Sequence, residues 1–201
     1  EVSVEIDPSL AAGMIKGLKY LEHYQYECAE QTVSRFLPNV LTYRALKELG
    51  VENAELSANL PGLVDEGLNR LYLQQKSDGG WGWWVDSESN PHLTAYVVFG
   101  LIQARDAGFA VRADVLERGE QYVLNNLSNK PSELAHWQAN QQAWFLFVLS
   151  EDSKAPADKL NALFEERNKL SHFARAYLAM AFGKGNDRVQ VLLSDLNNAA
   201  I

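Results

Sequence analysis

Cysteine is nearly absent. Cys28 is the only one in 201 residues, which excludes an internal disulfide. With one cysteine and four scattered histidines, no metal-ligand cluster of the usual spacing can be assembled, and no cofactor is expected. Long apolar runs are missing as well. AYVVFGLI (95–102) and AWFLFVL (143–149) are the longest, too short to span a membrane, and they read as buried helix faces. Positive charge is scarce: 18 Lys and Arg stand against 26 Asp and Glu, a net charge of -8. The basic residues form no stripe, so nucleic acid and anionic lipid are poor partners. The opening EVSVEIDPSL has neither the basic region nor the apolar run of a signal peptide. A mature chain or a fragment would equally lack one.

What is present is a foldable, helical sequence. Hydrophobic residues make up 47% and charged residues 22%, as in an ordinary globular domain. Residues 1–8 read as a connector or short extended strand (VSVEI), ended by Asp7-Pro8. Apolar residues then recur at helical spacing. The expected helices cover about 10–24, 31–49, 60–76, 91–108, 112–127, 132–149, 156–167, 170–182 and 187–198. Asn90 before Pro91 is a helix start signal, and Thr32 and Ser34 are candidate caps of the second helix. Between 77 and 91 lies a Gly-rich aromatic loop, SDGGWGWWVDSESNP. No valine-rich strand run interrupts the helices.

A faint repeat runs through alternate helices: Thr42-Tyr43, Ala95-Tyr96, Ala143-Trp144 and Ala176-Tyr177. Each interval holds one helix down and one back, so the fold expected is an all-α stack of hairpins, either a ring or an open solenoid. The more continuously apolar alternate helices belong to an inner layer. Counting chain reversals places Cys28, the tryptophan loop, His92, His136 and His172 on one face.

Cys28 sits in YQYECAEQTVSRFLP (24–38), at a helix junction between Glu27 and Glu30, with Gln31 three places on. A lone cysteine is most often a small buried apolar residue. Here its charged neighbours and its position off any apolar stripe argue for more. A cysteine-protease arrangement needs a histidine base and a third orienting group; His92, His136 and His172 are open for the base, but no local signature of such an enzyme is present.

The segment C-A-E-Q is a C-x-E-Q motif, and its surroundings closely resemble the thioester site of bacterial alpha-2-macroglobulin-like proteins, relatives of the complement thioester proteins. DGGWGWWVDSESNPHLTAYVVFGL resembles the matching downstream region of that family. PSLAAGMIKGLKYL fits the approach to the motif, and HFARAYLAMAF and VLLSDLNNAA fit later hairpins. The resemblance spans essentially the whole chain.

It implies an α/α toroid of helical hairpins over residues 9–201. The predicted helices fall short of the twelve of a six-hairpin ring, so the expectation is an incomplete ring with an apolar edge open to self-association. It implies that Cys28 Sγ displaces ammonia from Gln31 to form an internal thioester, with Glu30 as part of the turn. It further implies a single-use trap rather than an enzyme. A cut in a bait segment elsewhere in the parent exposes the bond, which then acylates the attacking protease. Partners would be target proteases and the other domains of the parent. The compartment would be the periplasm or the extracellular space, in a host-defence role, with any membrane anchor carried elsewhere in the parent. His92 is a candidate acyl-transfer base, since some complement-type proteins use a histidine in this region. It stands where macroglobulins often have tryptophan, so packing is its other reading. Trp81, Trp83 and Trp84 either shield the bond or pack the end of the bundle. Glu27 departs from the glycine usual before the cysteine.

Two other readings carry different tests. A terpene cyclase or prenyltransferase also uses rings of hairpins, and QQKSDGGWGW echoes its Gln-to-Trp repeat, but an Asp-rich acid motif is absent. A plain helical protein-binding scaffold would keep Cys28 as an inert thiol.

Overall fold

The computed structural model describes residues 28–51 and 53–198. The expected connector or short strand over 1–8, the helix over 10–24, His23 and Glu27 lie outside the described residues. Within them the chain forms α1 (Ala29–Glu48), α2 (Ala54–Gln74), α3 (Pro91–Asp106), α4 (Ala113–Asn125), α5 (His136–Ser150), α6 (Ala157–Glu165), α7 (His172–Phe182) and α8 (Asp187–Asn198). Two short 3-10 turns, Pro131–Glu133 and Arg167–Lys169, precede α5 and α7. Among the described residues no helix is long and apolar enough to cross a membrane.

The helices alternate between two layers. Helix α1 packs on α3, α3 on α5 and α5 on α7, while α2, α4, α6 and α8 each lie against the inner helix they follow. This is the hairpin arrangement of an α/α toroid. The inner helices run parallel, as three sets of contacts show. Ser34 meets Tyr96 near the starts of α1 and α3, and Arg44 meets Gln103 near their ends. Ser171 N–H donates to Asn140 near the starts of α5 and α7. The ring of Phe99 lies 5.7 Å from Trp144 and 5.8 Å from Phe147, joining α3 to α5.

Burial follows this layering. Ten residues of α3 are buried, because neighbours flank it on several sides. Phe36, Val33 and Val40 of α1 are fully buried beside it. Burying one such side chain contributes about 1.5–3 kcal/mol. Gly100 permits the close approach of the two helices: a Cβ there would stand 2.8 Å from Val33. At the other end of the series, α7 buries three residues and α8 only Leu192, and Met180, Val191 and Leu193 stand exposed.

Several helix starts differ from the expectation; the helix expected from about 132 begins at His136, after the 3-10 turn Pro131–Glu133. The second described helix begins at Ala54, not near Leu60, because Asn53 accepts a hydrogen bond from Leu56 N–H and starts the helix upstream of Pro61. Helix α1 begins at Ala29, so its N-cap is Cys28 itself, and Thr32 and Ser34 lie inside the helix instead of capping it.

Where α3 and α5 end, a charged cluster is built. Glu120 of α4, almost fully buried, pairs with Lys154, which also pairs with Asp152; Asp152 in turn pairs with Arg105. Burial pushes the Glu120 carboxyl up to about 7, against the lowering effect of Lys154.

Candidate functional site

The start of α1 is fixed from three sides. Cys28 has an extended backbone (φ -74, ψ 172), and its carbonyl accepts the first helical hydrogen bond from Thr32 N–H at 2.9 Å. Thr32 Oγ1 donates to the same carbonyl at 3.0 Å. Gln31, the third helical residue, turns its side chain back so that Oε1 accepts from Cys28 N–H at 3.1 Å. This is one half of a capping box, and it satisfies a backbone donor that a helix start otherwise leaves open. The Cys28 side chain is buried at 7% exposure, whereas Glu30 and Gln31 are half-buried.

The second side is the tryptophan loop. Ala29 N–H donates to Trp83 carbonyl oxygen at 3.2 Å, so the loop lies against the first turn. The loop is stitched internally. Ser89 Oγ and Gly80 N–H both donate to Asp78, Asn90 N–H to Trp81 carbonyl oxygen, and Trp84 N–H to Ser87 Oγ. Gly82 is required by close approach: a Cβ there would stand 2.5 Å from Ser87 oxygen and 2.6 Å from Glu88 oxygen. Trp81 is fully buried, with Nε1–H donating to Leu71 carbonyl oxygen at 2.8 Å and its N–H to Thr94 Oγ1 at 2.9 Å. Trp83 and Trp84 are exposed at 45% and 57%. Trp81 is thus the packing residue of the three, and the other two side chains are exposed, with the Trp83 backbone against the start of α1.

The third side is α3. Ser34 Oγ donates to Glu30 Oε1 at 2.6 Å and lies 3.0 Å from the Tyr96 hydroxyl. Neither Ser34 nor Tyr96 was legible as part of this site. The Glu30–Ser34 pair has helix spacing, but its partner on α3 is remote in sequence.

The histidines divide. His92, the second residue of α3, is exposed, and its ring lies 6.3 Å from that of Trp144. Partial burial of the ring lowers its pKa and favours the neutral imidazole. His136 Nδ1 lies 2.9 Å from Lys169 carbonyl oxygen, tying α5 to the approach of α7. His172 opens α7, so the starts of α3, α5 and α7 do share one end with Cys28. The geometry brings Cys28, Glu30 and Gln31 together with Trp83, Ser34 and Tyr96; His136 and His172 sit on other helix starts. Among the described residues no group of three or more His, Cys, Asp or Glu could hold a metal ion.

The Gln-to-Trp echo has a packing explanation. Gln75 Nε2 donates to the carbonyl oxygens of Gly79 and Val115, at 3.0 and 2.8 Å, and so ties the loop to α4 above the buried Trp81.

Chemically, the first turn of α1 holds a thiol and a carboxamide in one short loop, with a backbone N–H already on the carboxamide oxygen. Such a donor stabilises the negative charge that develops on that oxygen when a nucleophile adds.

Residues 2–130 match the family model described as the A-macroglobulin TED domain. The chain is 42% identical over 111 residues to an alpha-2-macroglobulin of Thermotoga maritima, covering 55% of this chain and 7% of that protein. It is 30% identical over 159 residues to the alpha-2-macroglobulin of Escherichia coli K12, covering 75% of this chain and 10% of that protein. Its fold matches the crystal structure of Salmonella alpha-2-macroglobulin reacted with methylamine, with a TM-score of 0.76 and 26% identity over 96% of this chain and 13% of that one. The chain therefore spans about a tenth of the length of these relatives.

Proposed function

The chain belongs to the A-macroglobulin TED domain family, and from that premise we propose that Cys28 and Gln31 form an internal thioester that acylates captured proteases. The observation that carries this reading is a buried cysteine at the cap of α1 whose N–H donates to Gln31 Oε1. It holds the carboxamide over the residue that bears the thiol.

In bond formation, Cys28 Sγ adds to Gln31 Cδ. Negative charge develops on Oε1, where the Cys28 N–H donates. The C–N bond breaks, the thiol proton goes to the departing nitrogen, and ammonia leaves. The turn from Cys28 to Gln31 supplies the effective concentration that brings thiol and amide together. In capture, an amine of the target adds to the same carbon, the C–S bond breaks, and the sulfur takes a proton. Cys28 returns as a thiol and Gln31 Cδ is joined to the target by an amide bond. One molecule acts once, so the domain is a trap and does not turn over. Burial of Cys28 limits attack by water before the trap is sprung.

Protease capture, contact with other domains of a parent macroglobulin and a periplasmic or extracellular setting extend this reading to the whole protein. Methylamine, with which the Salmonella protein was reacted, is the reagent for the test. The full-length protein, purified without amines, is weighed intact and then treated with methylamine. The expected result is a mass below that encoded by one ammonia, followed by addition of methylamine at Gln31 and release of one thiol at Cys28. An encoded mass with a thiol already free, and no methylamine uptake, would overturn the proposal and leave a helical scaffold with an inert cysteine.

A further inference from the structure

We infer that Tyr96 and Ser34 are positioning residues for the thioester turn, acting through Glu30. The inference rests on the reading of Cys28 and Gln31 given above. Its observation is the chain of hydrogen bonds between helices: Ser34 Oγ to Glu30 Oε1 at 2.6 Å, and Ser34 Oγ to Tyr96 hydroxyl at 3.0 Å.

The direction of the chain follows from proton counting. Ser34 has one hydroxyl proton and gives it to the Glu30 carboxylate. Its oxygen can then only accept, so Tyr96 O–H is the donor of the second bond. Burial raises the Tyr96 pKa, and the nearby Glu30 charge raises it too, against the lowering effect of the Ser34 bond. The phenol therefore remains a donor at neutral pH.

Glu30 is the residue between the two that would be joined. It is the second residue of α1, in the turn with the fewest helical hydrogen bonds. Its carboxylate is tied through Ser34 to α3, whose residues at this level are largely buried. Trp83 carbonyl oxygen holds Ala29 N–H from the other side. Together these two ties leave the Cys28–Gln31 turn little freedom to fray. Fraying would separate thiol from carboxamide and lower their effective concentration, which is the quantity that ring closure depends on. Glu30 and Gln31 are adjacent and do not face each other on a helix. A positioning role for Glu30, rather than direct proton transfer to the Gln31 carbonyl, is the one this geometry supports.

The test uses the full-length protein. Tyr96→Phe removes the hydroxyl and keeps the ring, Ser34→Ala removes the link, and Ser34→Thr keeps it. The fraction of molecules lighter by one ammonia is measured for each, together with the thermal midpoint. Tyr96→Phe and Ser34→Ala are each expected to lower the thioester fraction relative to opened molecules about two- to tenfold, the equilibrium equivalent of one hydrogen bond. The double variant should be no worse than either single one, because both break the same chain. Ser34→Thr should restore the fraction. Unchanged fractions in Tyr96→Phe and Ser34→Ala would overturn the inference while leaving the thioester reading intact. So would losses that merely track the thermal midpoint and that Ser34→Thr does not restore. Wild-type protein of encoded mass would instead overturn the thioester reading, and this inference with it.

Discussion

Two inner helices begin with the same turn. In α1, Gln31 Oε1 accepts from Cys28 N–H at 3.1 Å; in α5, Gln138 Oε1 accepts from Ala135 N–H at 3.0 Å. Both caps are extended, with ψ of 172 and 158. A glutamine folded back on the cap is therefore an ordinary way to satisfy a helix start. What sets α1 apart is the rest of its environment. Its cap is a cysteine and is buried, whereas Ala135 is exposed. A loop carbonyl holds its first helical N–H, and a hydroxyl chain from α3 holds its second residue. The turn geometry is thus generic, and the proposed reactivity rests on the sulfur and its supports.

The largest effect expected from this contrast is all-or-none. Cys28→Ser should abolish methylamine incorporation, and Gln138→Ala should leave it untouched, as read by intact mass. The converse exchange, Ala135→Cys, places a thiol in the other turn without burial or supports, and no second loss of ammonia is expected. A second loss would show that the turn alone suffices.

Next comes the loop that α5 lacks. Trp81→Ala removes a fully buried ring and leaves Leu71 carbonyl oxygen without its Nε1–H donor. Chemical denaturation should show a loss of about 3–5 kcal/mol.

A smaller effect lies at the other end of the inner helices. Glu120 has a folded pKa of about 7, raised by burial. An acid raised in this way adds stability that is full below its unfolded value and is lost as pH rises through about 7. Between pH 5 and pH 8 the thermal midpoint should therefore fall less in Glu120→Gln than in wild type. An equal fall in both would remove Glu120 as the titrating group.

The smallest effect is assigned to His92. Its ring is turned to Trp144, so His92→Ala should change the rate of methylamine uptake by no more than about twofold, well short of a typical general-base contribution. A fall of about a hundredfold would make it the acyl-transfer base.

Much of this was legible in the residues. The helices over 91–106, 113–125 and 187–198 follow from apolar spacing and from signals such as Asn90-Pro91, because such signals act within one or two turns. Helix α2 starts six residues before the apolar period that was counted from Leu60, because the Asn53 cap is a weaker local signal that prevailed once Leu60, Val64 and Leu68 were buried. Among site residues, C-A-E-Q was visible in one stretch. Trp81 could not be told from Trp83 and Trp84, since exposure is decided by what packs on a loop and not by the loop's own sequence.

The sequence by itself determined the helical periods, the alternation of more and less apolar helices, and the three-residue spacing of Cys28 and Gln31 at a helix start, all of which are patterns within short stretches of the chain. Only the tertiary structure decided that Trp83 and Tyr96 hold the first turn of α1, that Cys28 is buried while Ala135 is not, and that Glu120 meets Lys154. Each of these joins parts of the chain separated by one or more helices. Such contacts arise from the packing of whole helices, so no local pattern of residues encodes them.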